Sequence, residues 1–514
     1  MNRLDSHEEV EAALCLLTRL LEARGAWFLR ESRDSRAVEL RRGDWGLRVA
    51  GGGLLLSYWG ESGTRAWRVL AWRAEGEGLY LEAVRRSGAG AVLLSLVPRA
   101  RVASAREAVA DARRAECARL AALVCEFARA RLEHASLSVG ARRGEPGRWA
   151  RVLLKMRAGA YERVAVAAPV VPVGAEAVES FLTSALLWFT RLSESERGAH
   201  ALWLVAPRAL AAAVCERLPL LHDGLRERVS VYELGEGECG LSPLRVPTLE
   251  ELLDAPATKL SRAAPRAPCE LAARIIALAP DEIDLVRARH GETLRFQGLP
   301  FARVRRVAGK EHLWFGVGGR RALFEEGSEP DLLNLLAALK EHRRDAAPER
   351  RHALYRAAPE AWLEAMLRRD VTRLDPGLRL APIHAQFRAA PGSGSAARPV
   401  DLLALRRDGR LVVVELKVAE DASLALQGAD YWRRVLAHHR AGHIKRARLF
   451  GNAEVSEDAP LVYLVAPLLR FHRSFQMLAR CIRPEIELYR FDINEDWRAG
   501  VHVVRRVTLT NNWQ

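Results

Sequence analysis

Two Val- and Leu-rich runs, 400–405 and 411–418, flank the dipeptide Asp408-Gly409. Asp-Gly between two such runs is a strong hairpin signal, because a tight turn needs the left-handed backbone that Gly adopts freely. No other stretch constrains the fold as much, since a hairpin fixes which side chains share a face. Residues two apart in a strand point to the same side. Glu415 and Lys417 therefore share one face, and Val412, Val414 and Leu416 take the other. Turn length decides what lies opposite Glu415. A two-residue loop pairs Arg407 with Arg410 and sets Asp401 against Leu416. A three-residue loop, Arg407-Asp408-Gly409 with Gly409 left-handed and bulged, pairs Arg406 with Arg410 and sets Asp401 against Glu415. The second register is expected, because it alone gathers two carboxylates and one ammonium. Paired carboxylates repel, and a divalent cation between them relieves the repulsion. Few ligands and room for water suit Mg²⁺, and Mg²⁺ on carboxylates suits phosphate chemistry.

Lysine is rare in this chain: Lys155, Lys259, Lys310, Lys340, Lys417 and Lys445 stand among 79 basic residues. A solvated charge would be Arg here. A Lys at position 417 offers a point donor whose pKa can move, which Arg does not. Gln427 and Tyr431 then lie one turn apart on the helix that follows.

In that order, Pro399-Val400-Asp401, Glu415-Leu416-Lys417 and Gln427-Gly428-Ala429-Asp430-Tyr431 resemble the PD-(D/E)xK nucleases, a restriction-endonuclease-like superfamily. The RecB-like and NucS-like branches, with Q-x-x-x-Y on the next helix, are the nearest in pattern. Pro399 stands one residue earlier than in the signature. The resemblance covers the last third of the chain. It implies a Mg²⁺-dependent endonuclease, with Mn²⁺ as substitute, acting on DNA. Asp401, Glu415 and the Leu416 carbonyl would hold the metal. Lys417 would orient or deprotonate water, or neutralise charge on the phosphate. Gln427 and Tyr431 would position the strand or a phosphate. It also implies a helical Glu facing the metal through water, carried to Glu364; a surface pairing of Glu364 with Arg368 is the alternative. Two other functions stay open: a non-catalytic nucleic-acid-binding or assembly protein with a vestigial site, and an RNA-cleaving nuclease.

Charge agrees with a polyanionic partner. The 514 residues carry a formal +15 and are 49% hydrophobic and 28% charged, ordinary for a globular protein apart from the basic excess. An Arg-rich, Ala-rich genome bias would also produce that excess. Aromatic content, at 7%, does not suggest a base-stacking platform. The seven cysteines form no CxxC pair, so they read as small buried residues in a reducing compartment. No apolar run is long enough to span a bilayer and the N-terminus lacks a signal pattern; a cytoplasmic protein without membrane contact is expected.

The fold expected is α/β over several domains. Residues 1–100 read as a β-rich α+β domain, with a helix over 7–23 and then short strands. Residues 101–253 read as α/β: a helix over 104–134, strands near 136–140, 148–156 and 162–170, a helix over 175–192, a strand over 201–207, a helix over 208–222 and a strand over 229–234. Residues 254–280, rich in Pro and Ala, read as a linker. Residues 281–345 read as a β-rich patch plus helix. Residues 346–514 read as the nuclease-like αβββαβ domain, with helices over 359–370, 422–438 and 470–482. The order in 101–253 repeats in 346–514, and Leu202-Trp203-Leu204-Val205-Ala206-Pro207 matches Val462-Tyr463-Leu464-Val465-Ala466-Pro467. A degenerate second copy of the core is one reading, free to act as a platform or homodimer surface; the general likeness of apolar βα units is the other. The Gly-rich loop 391–398 and the cluster Arg368, Arg369, Arg373, Arg398, Arg433, Arg434, Arg470 and Arg473 flank the site; phosphate tracking is plausible for some of these, while any single one reads better as a solvated surface charge. His438, His439 and His443 end the helix, where a positive His is favoured.

Overall fold

The computed structural model describes residues 2–31, 37–60, 63–85, 91–99, 102–140, 145–157, 162–195, 198–235, 240–254, 267–288, 291–307, 310–318, 321–379, 384–387 and 400–509. Among them the chain is a mixed α/β protein with four β-sheets. Strands β1 to β8, within Asn2–Pro98, form the first sheet, and helix α1 (His7–Glu22) lays Val10, Ala13, Leu17 and Leu21 against it. That spacing is one apolar stripe of a helix.

The second sheet is built from β9 (Arg131–Val139), β10 (Pro146–Lys155), β11 (Arg163–Pro169), β12 (Ala201–Ala206), β13 (Val229–Leu234) and β14 (Leu241–Leu244), side by side in chain order. The pairs β11–β12 and β12–β13 are parallel and the others antiparallel. Parallel neighbours need a crossover, supplied by α3 (Val178–Ser193) and α4 (Arg208–Arg217) on one face. Helix α2 (Val102–Ala128) covers the other with Cys117, Leu120 and Val124. It ends earlier than the sequence predicts: Arg129 takes φ +47°, and residues from Arg131 join the sheet. Short helices α5 (Asp223–Arg226) and α6 (Leu249–Asp254) follow α4.

The stretch expected to be a linker contains helix α7 (Glu270–Ala277), whose Ala272 and Ile275 are buried in the core of the third sheet; residues 255–266 lie outside the described residues. Strands β15 to β19, within Ile283–Leu323, form that antiparallel sheet, under α8 (Glu329–His342). Helices α9 (Ala353–Arg356) and α10 (Pro359–Arg369) lead to the fourth sheet.

The fourth sheet takes β20 (His384–Phe387), β21 (Val400–Leu405), β22 (Leu411–Leu416), β23 (Leu461–Pro467), β24 (Leu488–Ile493) and β25 (Val503–Leu509), again in chain order. Its strand directions repeat those of the second sheet: two antiparallel pairs, two parallel, one antiparallel. Helix α11 (Leu424–Arg440) and α12 (His443–Arg446) lie between β22 and β23. Between β23 and β24 the helix expected over 470–482 is a single turn at Leu468–Arg470 and then α13 (Phe475–Arg480). The outermost strands β14 and β25 were not anticipated from sequence.

The two faces of the hairpin β21–β22 are buried differently. Leu402, Ala404, Val412, Val414 and Leu416 pack with Trp362, Leu363 and Leu367 of α10. Leu403, Leu405, Leu411 and Val413 pack with Tyr431 and Val435 of α11. Each such burial contributes roughly 1.5–3 kcal/mol, and a one-residue slip would exchange the faces. Register is therefore held firmly. Among the described residues no helix is long and apolar enough to cross a membrane. The described cysteines are free thiols, and Cys15 is exposed rather than buried.

Candidate functional site

The turn has three residues. Arg406 and Arg410 pair, with the Arg406 amide donating to the Arg410 carbonyl at 2.9 Å, and Gly409 takes φ +85°. Leu402 pairs with Val414, Leu403 with Val413 and Ala404 with Val412. Continued by one residue, that register sets Asp401 against Glu415, as the three-residue loop requires. Asp401 Oδ2 accepts the Leu416 amide proton at 2.8 Å. The Asp401 and Glu415 carboxyls lie within hydrogen-bonding reach of each other. Lys417 Nζ donates to Glu415 Oε1 at 2.5 Å. Glu415 is 1% exposed, and its Oε2 is buried with no hydrogen-bond partner.

Burial and the adjacent Asp401 push the Glu415 carboxyl well above the usual carboxylate range, and Lys417 only partly offsets them. Without a cation, ionisation of both carboxyls at once is disfavoured. For Lys417, burial works against the charge, but Glu415, Asp401 and Glu360 outweigh it and raise the pKa. The ammonium stays charged at neutral pH.

On α11, Gln427 is buried; its Nε2 donates to Ser423 Oγ at 2.6 Å and to Asp421 Oδ2 at 3.3 Å, while Oε1 is buried with no hydrogen-bond partner. Tyr431 packs under the Arg434 guanidinium, 4.5 Å from the ring centre. Burial, then Glu415, push its phenol pKa up, so it stays neutral. Between Gln427 and Tyr431, Gly428 lets α11 approach β23: a Cβ there would meet Leu464 Cδ2 at 2.6 Å and Val462 Cγ1 at 2.9 Å.

The helical acid felt at the site is Glu360, one turn before Glu364. Glu360 keeps much of its surface exposed, yet the protein crowds its carboxyl enough for burial to raise its pKa. Lys417 opposes that rise, and Asp401 and Asp421 add to it. Glu364 is buried, with Glu364 Oε1 3.8 Å from Arg295 Nη1 of the third sheet. Arg368, the alternative partner, pairs instead with Asp284 at 2.6 Å. Asp421 is a second acid that sequence reasoning passed over. Its signal is the Asp-x-Ser pattern ahead of α11, where Oδ1 accepts the Ser423 amide at 2.8 Å and hydroxyl at 2.6 Å.

Two flanking arginines are structural. Arg433 and Arg434 are buried and pair with Asp430 at 2.7 and 3.1 Å, and Arg217 of α4 joins them at 3.2 Å. Burial alone would raise the Asp430 pKa, but Arg217, Arg434 and Arg433 hold it below the carboxylate range. Arg373 pairs with Asp370, and Arg470 lies 3.7 Å from Glu495; Arg473 is exposed. Arg398 and the loop 391–398 fall outside the described residues. His438 is not a positive helix-end His. Burial, then His443 and Arg434, push its pKa down to about 4, and its Nδ1 lies 3.0 Å from His443 Nδ1.

Among the described residues no group of three or more His, Cys, Asp or Glu side chains is arranged to hold an ion. The donors that fit one are the paired carboxylates of Asp401 and Glu415 and the backbone at Leu416. Glu415 Oε2, buried with no hydrogen-bond partner, has the character of a ligand atom. A set of two carboxylates completed by water suits Mg²⁺.

Fold and site together define a multi-sheet α/β protein with a carboxylate pair and a lysine at the end of a buried hairpin. No protein-family model matches the chain, and no curated protein matches it. Among solved structures, EndoMS in its apo form is similar over 46% of this chain and 97% of that chain, with 13% identity and a TM-score of 0.15. A likeness at that TM-score carries no weight for the chemistry of this chain.

Proposed function

We propose that the chain is a Mg²⁺-dependent endonuclease that hydrolyses DNA phosphodiester bonds, with residues 346–514 as a restriction-endonuclease-like PD-(D/E)xK domain. The observation that carries this is the convergence of Asp401, Glu415 and Lys417, with one Glu415 oxygen on the lysine and the other buried without a partner. The formal charge of +15 supports a polyanionic substrate.

In this reading Asp401, Glu415 and the Leu416 carbonyl would hold the divalent ion. When bound, the ion supplies Lewis acidity and lowers the pKa of water. Lys417, fixed by Glu415, places a charged donor where negative charge grows on the phosphate. Glu360, rather than Glu364, accepts a hydrogen bond from water at the site. Burial, with Asp401 and Asp421 adding to it, raises its pKa above the ordinary carboxylate value, which favours its holding a proton more than a solvated acid would. Gln427 ties α11 to Asp421 in the loop after Lys417, and Tyr431 shields the Glu415 side of the hairpin; both position the reacting groups.

Purified protein with Mg²⁺ or Mn²⁺, offered labelled single-stranded, duplex and branched DNA and RNA, tests the reading. Cleavage of DNA that EDTA and Asp401→Ala each abolish is expected. Salt-sensitive binding with no cleavage of any substrate would instead mark a binding protein with a vestigial site, and cleavage confined to RNA would move the substrate class.

A further inference from the structure

The second and fourth sheets match position by position. Parallel register supplies the alignment. Leu204 of β12 pairs with Ala167 of β11, and Leu464 of β23 pairs with Glu415 of β22. Leu204 and Leu464 occupy the same place in the matching hexapeptides, so Ala167 stands where Glu415 does, and Pro169 where Lys417 does. Across the antiparallel pair, Arg151 lies opposite Ala167, the place Asp401 holds opposite Glu415.

The crossover helices align by their buried residues. Leu424, Ala425, Ala429 and Trp432 of α11 share the spacing of Phe181, Leu182, Leu186 and Phe189 of α3. That sets Ser184 at the place of Gln427 and Trp188 at that of Tyr431. Arg151 reaches those two positions: its Nη2 lies 3.3 Å from Ser184 Oγ and its guanidinium 5.8 Å from the Trp188 ring. The counterparts of Asp401, Glu415, Lys417, Gln427 and Tyr431 are Arg151, Ala167, Pro169, Ser184 and Trp188, and none of the five is an acid or a lysine.

The two halves also pack like the halves of a two-fold dimer. Residues from α3 and α4 share one apolar core with residues from α11 and α13. At its edge Leu221 and Ile482, each between the second crossover helix and the next strand of its half, form an antiparallel bridge. The bonds are reciprocal: the His222 amide donates to the Cys481 carbonyl and the Arg483 amide to the Leu220 carbonyl, both at 3.0 Å. Equivalent residues that meet each other in this way are the mark of an isologous contact.

We propose that the chain is an intramolecular pseudo-dimer with one competent half, and that it therefore cuts one strand of duplex DNA and leaves the other intact. This rests on the endonuclease reading above. The two strands of a duplex are antiparallel and related by two-fold axes, so a symmetric dimer can offer one site to each. Here a single half can hydrolyse. One event adds a water oxygen to phosphorus, breaks one P–O ester bond and passes a water proton to the leaving alkoxide, and its product is a nick.

Supercoiled plasmid with Mg²⁺ and limiting protein tests this. Nicked circles should accumulate first, with linear DNA below about a tenth of the product while half the plasmid remains supercoiled. Linear DNA as the first product, formed in step with loss of the supercoiled form, would overturn the pseudo-dimer inference while leaving the endonuclease reading in place. No conversion of the plasmid, together with no cleavage of the linear and branched DNA panel, would overturn both.

Discussion

The carboxyl groups of Asp401 and Glu415 lie within hydrogen-bonding reach of each other, although they come from different strands and are separated from water on the Glu415 side. Two such groups cannot both ionise cheaply at this distance. Folded, Glu415 has a pKa raised by burial and then by Asp401; unfolded, it returns to the ordinary value near 4.5. The folded state therefore holds more protons across the window between the two values, and stability without metal falls as pH rises through it. A Mg²⁺ ion held as proposed would require the ionised pair, so its stabilising effect should grow with pH. Thermal melts in EDTA and in Mg²⁺ from about pH 5.5 to 8.5 check this. Glu415→Gln should flatten the metal-free dependence and remove the Mg²⁺ shift. A Mg²⁺ shift that does not change with pH contradicts the raised Glu415 pKa.

Glu360 and Glu364 differ in their surroundings. Glu360 is felt by Lys417, and Glu364 lies against Arg295. Glu360→Gln should lower the cleavage rate by roughly 10- to 100-fold with little change in melting. Glu364→Gln should keep the rate within about threefold and lower stability by about 1–3 kcal/mol, because it weakens the buried partner of a cation. Rates and melts of both variants read this directly, and the reverse pattern would return the role to Glu364.

Asp430 anchors the contact between the two α/β halves. It is buried and pairs with Arg433, Arg434 and the Arg217 of the other half. Asp430→Asn would leave buried cations without their counter-charge, a loss of about 3–5 kcal/mol. Urea unfolding should show it. A change below about 1 kcal/mol would mean the cluster is screened like a surface pair.

Much of this was legible in the sequence. The hairpin register followed from Gly409 and the loop length, and the succession of strands and helices along both α/β halves, apart from β14 and β25, followed from apolar runs separated by helical periodicity. Other features depend on partners far along the chain. Glu360 and Glu364 share a helix face, and periodicity cannot decide which of two acids a turn apart reaches the end of the sheet. Arg433 and Arg434 read as surface charges because Arg217, more than two hundred residues earlier, is what buries them with Asp430. Strand β25, with Arg505 and Arg506 in its middle, lacks an apolar run. Its charge is accommodated by Asp492, which accepts Arg505 Nε at 2.6 Å from the neighbouring strand.

Arg343 ties the third sheet to the start of α10. It is 1% exposed and donates to the carbonyls of Phe296, Gln297, Leu354, Ala357 and Ala358, with its guanidinium over Trp362. Burial, then Arg498, push its pKa down to about 9, which leaves it charged at neutral pH. Beside it, Gly298 at φ +79° is so close to α10 that a Cβ would meet the Ala361 carbonyl at 1.9 Å. Arg343→Met should cost about 3 kcal/mol or more, by leaving buried carbonyls without donors. It should also slow cleavage by loosening Glu360. Melting and rate measured on one preparation check both; a stable variant with slowed cleavage would still locate the effect at the start of α10.

The central claim is a divalent ion between Asp401 and Glu415. Crystals soaked in Mn²⁺ and measured at the manganese edge test it most directly. An anomalous peak between the two carboxylates, absent in Glu415→Ala, is the predicted result. A map with no peak there, from protein that still cleaves DNA only with a divalent metal, would contradict it.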